Sequence, residues 1–152
     1  MIRHRTIKLE VERMYRTGCV ALLLLLVLTS CASMTQSRID GEQAFEATQT
    51  WLQYLDEMNF EKLWDSSAEL RRLKTDKADF IRRMNGIRAP LGKMIDRDLQ
   101  LNLRVTLIRH YPDGQYRKIV FWSKYEKKDF AREYLLLVKE EGQWRVLEFQ
   151  LA

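Results

Sequence analysis

The chain has 152 residues, 26 Lys and Arg against 21 Asp and Glu for a formal net charge of +5, and 46% hydrophobic residues. This is the composition of a folded protein: too apolar for a disordered chain and, with two cysteines, too poor in sulfur for a disulfide scaffold. At this length one single-core domain is expected.

The N-terminus reads as an address. Cys19 to Leu28 is an uninterrupted apolar run of ten residues, preceded by Arg3, Arg5, Lys8, Arg13 and Arg16. Crossing a bilayer takes roughly 20 apolar residues, so the run is too short to span. A basic flank, a short apolar run and small residues before a cut site describe a secretory signal. Translation from Met14 instead of Met1 would give a tighter one. Leu28-Thr29-Ser30-Cys31 resembles the lipobox of bacterial lipoproteins. That resemblance implies diacylglycerol on the Cys31 sulfur, cleavage before Cys31 and acylation of the new amino group. Ala32 after the cysteine implies the periplasmic face of the outer membrane. A signal without lipid, or a buried core helix, is the alternative reading of the run.

Removing residues 1–30 takes five basic and two acidic residues, leaving 21 and 19, a net of +2. The basic balance is therefore partly the leader's, and nucleic acid is not an expected partner. Cys19 leaves with the leader and Cys31 carries lipid, so no thiol remains for a disulfide, a nucleophile or a metal site. Residues 31–39 hold the lipidated cysteine and a short polar tether. The eight residues after Cys31 reach at most ~28 Å. The single domain is expected over residues 40–152.

That domain opens with helices. Asp40 and Gln43 have the spacing of a capping box. Ala44, Phe45, Thr48, Trp51, Leu52, Leu55 and Met58 recur at helical spacing, predicting a helix that ends near Asn59. Phe60, Leu63, Trp64, Ser67 and Leu70 form a second stripe. Thr75 or Asp76 caps a third helix with Phe80, Ile81, Met84 and Ile87 inward, and Pro90 and Gly92 stop it. The remainder is strand. Leu99, Leu101, Leu103, Val105 and Leu107 alternate with polar residues, predicting a half-buried strand with all five on one side. Pro112-Asp113-Gly114 marks a turn. Strands follow at Tyr116–Tyr125, Tyr134–Lys139 and Trp144–Leu151, with a turn at residues 139–143. Helices followed by an antiparallel meander make an α+β layer fold.

Several residues are candidates for chemistry. Arg88 and Arg97 flank the Pro-Gly break. They are placed either to hold a carboxylate or phosphate, or to bond helix-end carbonyls or an internal acid such as Asp65. Trp51, Trp64, Trp122 and Trp144 have the spacing of core residues, with an aromatic cavity for an apolar ligand as the alternative. The run "RRLKTDKADFIRR" reads as a solvated helix face or as a surface for anionic headgroups. His110, the only histidine beyond the leader, reads as a solvated turn residue, so no histidine-based metal constellation exists. Asp56 and Asp65 are the helix acids nearest the inward stripes. The chain contains no G-x-S-x-G, P-loop or dinucleotide fingerprint.

Residues 87–97 "IRAPLGKMIDR", 112–116 "PDGQY", 135–146 "LLLVKEEGQWRV" and 51–72 "WLQYLDEMNFEKLWDSSAELRR" resemble the bacterial family labelled domain of unknown function 4019. That family tends to close on a Gly-Tyr pair, where this chain has Glu148-Phe149. The resemblance implies the nuclear transport factor 2-like superfold, a cystatin-like cone of N-terminal helices packed on a curved four-stranded antiparallel sheet. It implies no reaction. The expected function is a non-catalytic, lipid-anchored binding or adaptor module of the envelope, with no cofactor and no metal. Its partners would be the membrane, through the anchor, and an envelope protein or small ligand bound near Trp64, Arg88 and Arg97. A small cavity enzyme of the isomerase or dehydratase kind, or a structural accessory of an envelope complex, is the alternative.

Overall fold

The structure, a computed structural model, describes residues 35–106 and 108–152. The leader, Cys31 and Leu107 lie outside the described residues. Residues 40–152 form the larger of two compact units.

Helix α1 occupies residues 40–56 of the larger unit, and residues 35–39 are helical as well. Asp40 is therefore not the helix cap that its spacing with Gln43 predicts. It pairs instead with Lys139, Oδ1 lying 2.7 Å from Nζ. Of the predicted inward stripe, Ala44, Thr48, Trp51, Leu52 and Leu55 are buried and Phe45 is partly buried, whereas Met58, beyond the end of the helix, is exposed. The chain turns at Met58, whose φ is 55°. Asn59 then caps the short helix α2, Phe60–Asp65, its side chain accepting from the Lys62 N–H at 3.3 Å.

Helix α3, Glu69–Arg72, is a single turn. Its first two free N–H groups, those of Glu69 and Leu70, donate to the Glu140 carboxylate at 2.8 and 3.1 Å. An anion at the positive end of the turn satisfies donors that have no partner within the helix. Asp76 caps α4, Lys77–Arg88, accepting from Ala78 and Asp79. A 3-10 turn, Ala89–Leu91, follows, and Gly92 ends it at φ 74°. There a Cβ would meet the Glu126 side chain at 2.7 Å, so both backbone and space demand glycine.

The sheet is an open antiparallel meander, β1 (Met94–Val105), β2 (Tyr116–Tyr125), β3 (Lys128–Glu140) and β4 (Gln143–Leu151), in sequence order. Strand β3 begins six residues before the predicted Tyr134 and so includes Glu133. Glu141 and Gly142, at φ 49° and 81°, make the two-residue turn into β4 that positive φ at both central residues favours. The α1, α2 and α4 stripes bury against one sheet face, with Ile119, Phe121, Leu135, Leu137, Val146 and Phe149 beneath them. The segment after α2 closes the β4 edge through a parallel bridge of Ser67 to Val146, with the Ala68 N–H donating to the Val146 carbonyl at 2.9 Å.

Strand β1 departs from its predicted phase. A bulge between Leu99 and Leu101 shifts the register: Leu99 opposes Phe121, whereas Leu101 opposes Val120 and Leu103 opposes Lys118. Opposed residues share a face, so the bulge sends Leu99 to the helix side and Leu101, Leu103 and Val105 to the other. Leu103 is 53% exposed. The expectation that the leucines point together into the core is corrected: perfect alternation in sequence becomes a split once one extra residue enters the ladder.

Candidate functional site

Two features of the larger unit carry chemistry: a buried charge cluster on the helix side and an open apolar surface on the other.

The cluster assembles because β1 and β3 place opposite charges at inward positions beneath the end of α1. Arg97 opposes Ser123, and Ser123 opposes Ala131, the inward neighbour of Glu133. The Glu133 side chain is fully buried. Arg97 donates to it from Nε at 2.6 Å and from Nη2 at 3.0 Å. Ser123 Oγ donates at 2.9 Å, and the Tyr125 hydroxyl donates to the other carboxylate oxygen. Arg97 also grips Asp56, at the end of α1, through Nη1 at 2.7 Å and Nη2 at 3.1 Å. Arg88 completes the set. Its Nε lies 3.3 Å from Asp56 Oδ1 without the alignment of a hydrogen bond. Its Nη1 donates to the Gly92 carbonyl, and its guanidinium rests over the Tyr125 ring at 5.1 Å.

Two guanidinium groups and two carboxylates make the cluster neutral. Burial disfavours the charge on Arg97, but its hydrogen bonds to the Asp56 and Glu133 carboxylates outweigh that and raise the pKa above the usual arginine value. Burial, followed by the neighbouring Glu133 carboxylate, likewise raises the Tyr125 hydroxyl above its ordinary value. Charge pairs of this kind confer little net stability over apolar packing, but losing one member strands the others without water.

The sequence candidates are placed as follows. Arg88 and Arg97 meet on Asp56. Asp65, expected as their internal acid, stands at the surface with a 68% exposed side chain, 3.9 Å from Lys77. Trp64 packs in the core against Phe80 at 5.2 Å. Trp51 and Trp144 are also core, whereas Trp122 is 48% exposed. Cys31 lies outside the described residues. Glu133 lies just ahead of the strand that the sequence predicts from Tyr134 and is not among the sequence candidates. The available signal was its period-two spacing with Leu135 and Leu137.

Among the described residues, the opposite sheet face is covered at one end only. There Tyr116, Val138 and Leu147 pack with Ala68, Leu70, Ile108 and Tyr111. Beyond that cover lie Leu101, Leu103, Trp122 and Phe130, all exposed, with the two aromatic rings 5.9 Å apart edge to face. A groove of about 340 Å³ at the border is lined by Ile108, Lys118, Tyr134, Leu136, Glu148 and Gln150. Glu148 accepts from the Tyr111 hydroxyl at 2.7 Å, and Lys118 sits over the Tyr134 ring at 5.4 Å. Phe149, its chain neighbour, turns the other way and packs on Trp51 at 5.3 Å.

A family profile matches residues 47–149, a stretch that takes in α1 from its middle, every later helix, strands β1 to β3 and β4 as far as Phe149. The chain belongs to the family described as Protein of unknown function (DUF4019). No curated protein matches it. In this DUF4019 chain, no three His, Cys, Asp or Glu side chains among the described residues are grouped to hold a metal. No helix among those residues is long and apolar enough to cross a membrane.

Proposed function

We propose that this DUF4019 protein is a lipid-anchored interaction module of the bacterial envelope, held at the membrane by Cys31 and docking partners on the open face of its sheet. Its architecture suits the nuclear transport factor 2-like superfold, with the periplasmic face of the outer membrane as its address. The observation that carries the docking surface is the exposure of Leu101, Leu103, Trp122 and Phe130 on one side of the sheet, at 38%, 53%, 48% and 52%. A monomeric protein rarely leaves such apolar side chains together in water, and a contiguous patch of this kind marks an interaction site. Trp and Phe are also the residues that dominate interface energetics. The buried cluster supports a non-catalytic reading. Both carboxylates are engaged by guanidinium groups, so neither stands as a base or nucleophile.

The test is photocrosslinking in living cells. A crosslinking side chain at Leu103 or Trp122 should give discrete adducts, whereas one at Glu46, exposed on α1, should give none. Absence of adducts from every sheet-face position would refute the docking surface.

A further inference from the structure

We propose that Arg71 and Arg83 form an anion site beside strand β4, and that its ligand is a phosphate monoester, free in solution or carried on a lipid headgroup. The site stands apart from the docking surface and does not rest on it.

The two residues open and close the basic run of residues 71–83, "RRLKTDKADFIRR", which contains six cations. The other four are engaged. Arg72 donates to the Asp65 carbonyl at 3.4 Å. Lys74 donates to the His110 carbonyl at 3.4 Å and lies over the Tyr111 ring at 4.2 Å. Lys77 pairs with Glu61, and Arg82 pairs with Asp79. Among the described residues, no acid pairs with Arg71 or Arg83.

Folding brings the two together. Arg71 leaves the single turn α3 and lies against α4, its guanidinium 5.2 Å from the centre of the Phe80 ring. Phe80 and Arg83 are three residues apart on α4 and so are neighbours on its surface. Arg71 is held where it lies, Nη1 donating to the Leu147 carbonyl at 2.8 Å. Its other donors are idle. Nε is buried without an acceptor, and among the described residues nothing accepts from Nη2. Burial, followed by the positive charge of Arg83, holds the Arg71 guanidinium below the usual arginine value. Glu148 acts the other way, but its carboxylate accepts from the Tyr111 hydroxyl at 2.7 Å and makes no ion pair with Arg71.

A half-buried guanidinium fixed in place with idle donors, beside a second that is exposed, is an arrangement that an anion completes. Charge selects which anion. A single carboxylate would balance one guanidinium. A phosphate monoester carries about −1.5 to −2 at neutral pH and three acceptor oxygens, enough for both. The planar fork of arginine meets those oxygens in pairs, which lysine does not do.

Titration of the full-length acylated protein, in neutral detergent, with glycerol phosphate tests the site through the Nε–H resonances of its arginines. Two arginine resonances should shift together to saturation at millimolar concentration, and acetate should bind at least tenfold more weakly. Arg83→Gln, at an exposed residue, should raise the dissociation constant at least tenfold without moving the thermal midpoint. Lys127→Gln removes the same charge at the turn between β2 and β3 and should change neither. Arg71→Lys should also weaken binding, because a point charge replaces the fork. Phosphatidate in the same micelles separates the two sources of the ligand. Binding at least tenfold tighter than that of glycerol phosphate supports a lipid headgroup, and equal binding supports a free phosphate ester. Shifts that do not saturate, shifts equal for acetate and glycerol phosphate, or an affinity indifferent to Arg83→Gln overturn the proposal.

Discussion

Replacing Arg97 with alanine should be among the most damaging single changes in the domain. The substitution removes the donors that reach Glu133 at 2.6 and 3.0 Å and Asp56 at 2.7 and 3.1 Å. Asp56 retains the Arg88 contact and some water, its side chain being 21% exposed. Glu133 keeps only Ser123 and Tyr125, and its fully buried carboxylate then faces the interior without a counter-charge. Leaving one member of a buried pair alone costs about 3–5 kcal/mol. That is a large share of the ~5–15 kcal/mol by which domains are stable. At roughly 3–6 °C per kcal/mol for a domain of this size, the midpoint should fall by about 10–30 °C. Thermal and urea unfolding followed by circular dichroism measures this directly. Adding Glu133→Leu to Arg97→Met should recover much of the loss, because the stranded charge is then gone. A loss below ~1 kcal/mol for Arg97→Ala, or no recovery in the double variant, would refute the account of a charge-balanced cluster built around buried Glu133.

Three further outcomes are expected. Leu135→Ala, at a site 1% exposed, should cost about 2–5 kcal/mol, whereas Leu103→Ala should stay within about 0.5 kcal/mol; urea midpoints of the two variants test the observed strand phase. Burial and the hydrogen bond to Glu148 push the Tyr111 hydroxyl up to about 12, so the folded state keeps a proton that the unfolded chain releases near pH 10. That contribution is whole below about pH 10 and is lost as pH rises toward 12; stability–pH curves should show Tyr111→Phe losing less over that window. Cys31→Ser should abolish metabolic acyl labelling and leave an uncut or soluble precursor, and continued labelling would refute the anchor.

Much of the fold was legible because local periodicity and caps agree with the tertiary arrangement. The Ala44–Leu55 stripe, a cap at Thr75 or Asp76, the Pro90-Gly92 stop and the whole of β2 follow from local spacing and residue type. The β1 leucines misled because alternation reports a half-buried strand only while the ladder stays in step, and no residue type marks the extra residue at Gln100. The ion cluster was half legible. Arg88, Arg97 and Asp56 were singled out, but which acid answers which arginine depends on strand register over separations such as Arg97 to Glu133. No local pattern encodes that. Asp65 has the same chemistry as Asp56 and lies nearer in sequence to the Pro-Gly break, yet it projects from the wrong side of α2.

Helix α1 is fastened to the sheet at both ends. Near its start, Asp40 holds Lys139 at 2.7 Å, and the Gly41 carbonyl accepts from Asn102 at 3.0 Å. Near its finish, Asp56 holds Arg97. The first clasp reaches β3 through Lys139 and β1 through Asn102, the second reaches β1 through Arg97, and the buried stripe from Ala44 to Leu55 lies between them. Mechanically, such a helix is a pinned beam. Tension entering the chain ahead of residue 40 runs along the helix axis and loads both clasps in shear together with the packed stripe, instead of peeling contacts away one at a time. A domain hung from a membrane by its N-terminus would feel every tug at that point, and the first element it meets is the one most evenly tied down.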